Sequence, residues 1–184
     1  MRTKPEVHVD RAGVWYFRTN PIDNASILNY FKQNLKRDAD GLYFIENRFG
    51  ERKEEGYIQG VEGFPLVISS IATDSWKAYL ECDLQITLDP EWIGKQAGTR
   101  PAYFFYKDDS TLWTLVQLDG STGAIPARLS GPCMASLHNL LEESSDGFKM
   151  KLGEEYVPVI TRDPEDFFQE IDLTPPDPSD NPAE

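Results

Sequence analysis

Few residues in this chain could do chemistry on their own. Thiols and imidazoles are scarce, with two cysteines, Cys82 and Cys133, and two histidines, His8 and His138, so metal or acid–base chemistry would have to lean on carboxylates. Cys133 and His138 would make a nucleophile and base only if they met, yet five helical residues apart they point about 140° away from each other. Two thiols without clustered histidines cannot complete a structural zinc site, and no disulfide framework is implied, so neither a metal nor a cofactor is expected. Both cysteines read as core residues; Cys82 shares a strand face with Trp76, Ala78 and Leu80. His8 alternates with Val7 and Val9 and is expected to face solvent. Carboxylates are plentiful, but Glu54-Glu55, Glu142-Glu143 and Glu154-Glu155 are adjacent pairs typical of a solvated surface. None has a spacing that singles out acid–base work. Gly56, Gly60 and Gly63 are not followed by Gly-Lys-Ser/Thr, which excludes a phosphate-cradling loop of that kind. Gly120-Ser121-Thr122-Gly123 lacks the glycine that a serine nucleophile turn needs at the position of Asp119 and reads as a hairpin loop.

What stands above background is aromatic and amide-rich: Trp15-Tyr16-Phe17, Asn20, Tyr43, Trp92 and the run from Tyr103 to Tyr106. Aromatic surface beside a few polar groups is the material of a small-molecule or peptide pocket, though such residues more often simply fill a small core.

The elements that must position these residues follow from periodicity. Asn24 is a plausible helix N-cap, and Ile27, Leu28, Phe31 and Leu35 make an apolar stripe, with Lys36 and Arg37 where the macrodipole favours cations. Asp40-Gly41 then turns the chain into the strand Leu42 to Ile45. The same order recurs later. Ser130 caps a helix with Pro132 in its first turn and a stripe of Cys133, Met134, Leu137, Leu140 and Leu141, and Asp146-Gly147 leads into Phe148 to Met150. A candidate hairpin precedes each helix: Glu6 to Val9 with Val14 to Phe17, and Thr111 to Leu118 with Ala124 to Leu129. Further strands are expected over Pro65 to Ala72, Trp76 to Cys82, Leu84 to Leu88 and Tyr103 to Tyr106, with Asp89-Pro90 as a turn signal. The pattern predicts an α+β fold of two related units, each a β-hairpin, a helix and strands, with one helix covering the sheet in each half. Its expected divisions are residues 1–72, 73–162 and an acidic, Pro-rich, disordered tail over 163–184.

Composition bounds the function. With 184 residues, 40% of them hydrophobic, the chain can bury an ordinary core. No apolar run approaches the roughly 20 residues of a membrane-spanning helix, and the first residues lack a secretory signal, so no membrane insertion and a cytoplasmic location are expected. The net charge of −13 argues against nucleic acid or an anionic membrane as partner. From Asp163 onward every charged residue is acidic, which makes the tail a possible contact for a protein partner. Within it, Phe167, Phe168, Ile171 and Leu173 could dock on the parent domain or on a partner.

The chain resembles a bacterial family, domain of unknown function 1285. In the first unit the resemblance rests on Trp15-Tyr16-Phe17, Asn20-Pro21-Ile22, Leu28 and Phe31, and Asp40-Gly41-Leu42-Tyr43. Glu62 to Leu66 and Thr87-Leu88-Asp89 carry it through the middle, and Ala127 to Ser130, Asp146-Gly147 and Gly153 to Val159 through the second unit. It implies a two-domain protein with repeated motifs, a C-terminal part like pleckstrin-homology folds, a ligand site at the domain interface and a regulatory or signalling role. The first helix lacks the basic residue usual near Asn24, and Gly131 stands where a basic residue is common.

The leading functional expectation is therefore a non-catalytic binding or regulatory module. It would take a small molecule or peptide in an interdomain groove, with Trp15, Asn20, Tyr43, Arg128 and Ser130 as candidate contacts. The alternatives are a hydrolase or transferase using carboxylates such as Asp89 beside Arg128, and a protein–protein adaptor.

Overall fold

The computed structural model describes residues 6–107 and 110–172. Strands β1 (Val7–Val9) and β2 (Trp15–Phe17) form the first hairpin, closed by Asp10, whose Oδ1 accepts from the amides of Ala12 and Val14 at 2.9 Å. Gly13 at this turn has φ +82°, and a Cβ there would lie 2.8 Å from the carbonyl oxygen of Phe64. The short β3 (Asn20–Pro21) pairs with β2. Helix α1 (Ala25–Gln33) begins where expected, Asn24 Oδ1 accepting from Ser26 and Ile27 at 3.0 and 3.1 Å.

The helix ends sooner than its stripe suggests. Asn34 is its C-cap, and Leu35 through Arg37 form a strand, β4 (Leu35–Arg37). Leu35 is fully buried there, which satisfies the same apolar demand by another geometry, and Lys36 and Arg37 lie on a strand rather than at a helix terminus. Strands β4, β5 (Tyr43–Phe49) and β6 (Arg52–Tyr57) make an antiparallel meander, and β7 (Gly60–Val61) returns parallel to β1.

The remaining strands are β8 (Leu66–Ala72), β9 (Lys77–Leu80), β10 (Gln85–Thr87), β11 (Phe105–Lys107), β12 (Thr111–Val116), β13 (Ile125–Leu129), β14 (Leu141–Ser144), β15 (Gly147–Leu152) and β16 (Glu155–Thr161). They form one sheet in the order β10-β9-β8-β13-β12-β11-β16-β15-β14, antiparallel except for the parallel pairs β8/β13 and β11/β16. Helix α2 (Pro90–Ala97) packs on β12, and α3 (Gly131–Leu137) packs on β8. The α+β class holds, with three helices among the described residues instead of one per half. The additional helix is α2: Asp89, read as a turn, is its N-cap, Pro90 opens it, and Gly98 closes it at φ +68°. Trp76 also differs from expectation, lying in the turn before β9 at φ +51° with its ring stacked 4.1 Å from Tyr103.

Both helices with apolar stripes are followed by a three-stranded antiparallel meander, α1 by β4–β6 and α3 by β14–β16. The meanders are used differently, since the first is a separate sheet and the second extends the long one. A boundary at residue 72 would cut the β8–β9 hairpin; the change of sheet falls instead between Val61 and Leu66. One apolar core runs from Val7 to Phe167 through all three sheets.

The tail also needs correction over its first ten residues. Residues 163–172 form a strap that leaves β16, makes a 3₁₀ turn at Glu165–Phe167 and buries Phe167 against Trp113. Gln169 pairs with Val61 by two backbone bonds of 2.7 and 2.8 Å. Its side-chain Oε1 accepts from the amide of Tyr43 at 3.0 Å. The four prolines near the end mark residues 173–184 as the Pro-rich part, and these, with Leu173, lie outside the described residues.

Candidate functional site

The five sequence candidates do not share a cleft. Trp15 is buried and its indole donates to the carbonyl of Pro65 at 3.0 Å, tying the first hairpin to the start of β8. Tyr43 is fully buried, its hydroxyl donates to the carbonyl of Phe167, and burial raises its pKa well above the ordinary phenol value. Ser130 caps α3, accepting from Cys133 N at 3.3 Å. Asn20 is exposed on the edge strand β3. Arg128 is half-buried in the middle of β13, between Trp113 and Val67 on the neighbouring strands, and has no ion pair among the described residues. No ion pair joins it to Asp89, whose Oδ1 is taken by the amides of Glu91 and Trp92 at 3.0 and 3.3 Å.

The cysteines are core residues. Both are buried; burial pushes the Cys133 thiol up to about 11 and raises that of Cys82. His8 is half-buried rather than solvent-facing, stacked on Tyr16 at 5.0 Å. Among the described residues no group of three or more His, Cys, Asp or Glu side chains is placed to hold a metal.

A groove of about 480 Å³ opens where the first meander meets the long sheet. Gln33 and Lys36 line it from the first half. The other wall is β10 with the N-terminal turn of α2, which presents Asp89 and Trp92, and the floor is the end of β12 and the loop at Asp119. Gln33 is held in place by its Nε2, which donates to the carbonyl of Cys82 at 2.7 Å across the two halves.

Lys36 is the unusual member. Only 5% of it is exposed, and neither an ion pair nor a hydrogen bond reaches its ammonium from the described residues. Burial lowers its pKa, against the attraction of Glu46 and Asp119. Glu46 is itself claimed elsewhere: Arg48 lies 2.9 Å and Lys53 3.6 Å from it, and the Arg48 bond leads in holding its carboxyl below the usual range. A second groove of similar size, between α3 and the end of the long sheet, is mostly apolar, with Met134, His138 and Phe148 in its wall.

Two solved structures are similar to this chain. A crystal structure of a DUF1285 family protein from Silicibacter pomeroyi DSS-3 matches with a TM-score of 0.57 at 15% identity, over 85% of this chain and 80% of that one. The chain has a DUF1285-like fold. A DUF1285 family protein from Shewanella baltica OS155 gives a TM-score of 0.45 at 16% identity, over 73% of this chain and 91% of that one. No family model and no curated protein matches the sequence.

The groove residues that sequence reasoning passed over are Lys36, Gln33 and Asp119. Lys36 was legible in principle, because Asn34 directly after an apolar stripe is a helix stop signal, and the residues beyond it then alternate as a strand. Asp119 carries no such signal in its hairpin loop.

Proposed function

We propose that this chain is a non-catalytic binding or regulatory module that takes a small molecule or peptide in the groove between its first meander and its long sheet. The observation that carries the reading is the groove's construction from both halves of the chain, with Trp92 as an aromatic wall among amides and a few charges. Such a mixture suits orientation of a small polar ligand with an apolar body. A ligand gripped from two sides stabilises the folded state and can report its presence through how the halves are held, which fits the regulatory role that the family resemblance adds. The carboxylate-enzyme alternative gains no support, because Asp89 spends one oxygen on capping α2 and is not joined to Arg128.

The test is a thermal-shift screen of metabolites against the full chain and its Trp92→Ala variant. A ligand at 100 times its Kd adds about 2.7 kcal/mol to stability, so a true ligand raises the melting temperature of the wild type and far less that of the variant. A screen in which no compound discriminates between the two proteins would refute the reading.

A further inference from the structure

The charges around the groove describe a ligand more narrowly than its size does. Lys36 is nearly buried, its ammonium has no ion pair or hydrogen bond among the described residues, and Glu46, the acid that attracts it most, is already matched by Arg48 and Lys53. An ammonium so placed is completed by an anionic group that enters the groove, and a charge-assisted hydrogen bond of this kind is among the stronger polar contacts. The same groove carries two carboxylates, Asp119 and Asp89, both exposed and both without an ion pair among the described residues. The hydrogen bonds that cap α2 use only Oδ1 of Asp89. A ligand bearing anionic charge alone would be drawn by Lys36 and repelled by these two acids. A ligand bearing one group of each sign satisfies both, and Lys36 and Asp119 lie near enough to feel each other's charge, as two opposite charges carried on one carbon require. In the same groove, half-buried Trp92 with Leu84 and Ile86 offers an apolar surface.

Resting on the groove reading above, we propose that the ligand is a zwitterion of the amino-acid type. Its carboxylate meets Lys36, its ammonium meets Asp119 and Asp89, and its apolar side chain lies against Trp92. Recognition needs no covalent step. It is a difference of affinities in which each charged group rejects what the other accepts.

The experiment uses the full chain, labelled with ¹⁵N, and follows the indole signal of Trp92, identified by its loss in Trp92→Phe. The probes are L-phenylalanine, 3-phenylpropionate, which lacks the amine, and phenethylamine, which lacks the carboxylate. L-phenylalanine is expected to shift the Trp92 signal to saturation, with each single-charge analogue at least 10-fold weaker. Lys36→Met is expected to abolish the response to L-phenylalanine, Lys36→Arg to restore part of it, and Asp119→Asn to weaken L-phenylalanine while leaving 3-phenylpropionate unchanged or tighter. Equal binding of 3-phenylpropionate and L-phenylalanine would overturn the assignment of the acids, and equal binding of phenethylamine would overturn that of Lys36. If metabolites from the thermal screen shift Trp92 and L-phenylalanine does not, the zwitterion assignment falls and the groove reading stands. If nothing shifts Trp92, both fall.

Discussion

Lys36 and Arg37 are neighbours on one short strand, and each serves a different seam between the first meander and the long sheet. On the Arg37 side the seam is closed. The guanidinium donates to the carbonyls of Ala124 and Asp166, each at 3.3 Å, and lies over the rings of Tyr43 and Phe167. The Arg37 backbone is gripped as well, its amide donating to Ser121 Oγ at 3.0 Å and its carbonyl accepting from the amide of Gly123 at 2.8 Å. Among the described residues its buried Nε has no acceptor. On the Lys36 side the seam is open, and the ammonium has no ion pair or hydrogen bond among the described residues. A folded chain that needed both cations only for stability would tie both. The contrast separates a structural clasp from a groove left open.

The largest expected effect lies on the closed side. Truncation after Arg162 removes Phe167 and the pairing of Gln169 with Val61 and Tyr43, and leaves an apolar slot beside Trp113. Loss of a buried phenylalanine alone costs about 3 to 5 kcal/mol, so urea unfolding of the truncated chain should show at least that loss. A change below about 1 kcal/mol would mean that the strap does not hold this seam.

On the open side the sign reverses. Lys36→Met keeps most of the stem and removes an unpaired, nearly buried charge, so it should stabilise by about 1 kcal/mol at neutral pH. The gain should shrink with rising pH. The folded-state pKa of Lys36 is lowered below 10.5 by burial, so between that value and 10.5 the unfolded chain binds more protons. Over that window the wild type gains stability with pH relative to the variant. Chemical unfolding of both proteins at pH 7, 9 and 10 checks this, and a destabilised variant at pH 7 would show Lys36 to be a structural tie after all.

The smallest effect concerns Arg128. Its half-buried place between Trp113 and Val67, without an ion pair among the described residues, implies that Arg128→Met changes stability by less than about 0.5 kcal/mol. Denaturant midpoints of the two proteins measure it. A loss of about 3 kcal/mol would instead place a buried carboxylate opposite it.

Much of the local structure was legible because it depends on neighbours in sequence. The caps Asn24 and Ser130, the two hairpins and the Asp-Gly turns all rest on side chains and backbone preferences within a few residues, and all are where the pattern put them. The missed helix α2 had its own local signature, Asp89-Pro90 at one end and Gly98 at the other, which was outweighed by reading Asp-Pro as a turn. Leu35 was ambiguous for a physical reason: an apolar residue one turn beyond a helical stripe also satisfies the burial of a following strand.

The site was not legible in the same way. The amino-acid sequence alone determined an α+β chain with capped helices, turn chemistry and buried thiols, since these follow from residue type and short-range spacing. Only the tertiary structure decided that Tyr43 would be sealed under Phe167 while Lys36, seven residues earlier, would line an open groove with Trp92 and Asp119. Those pairings join residues distant in the chain, and they follow from how the first meander is laid against the long sheet and which of its two seams the strap closes.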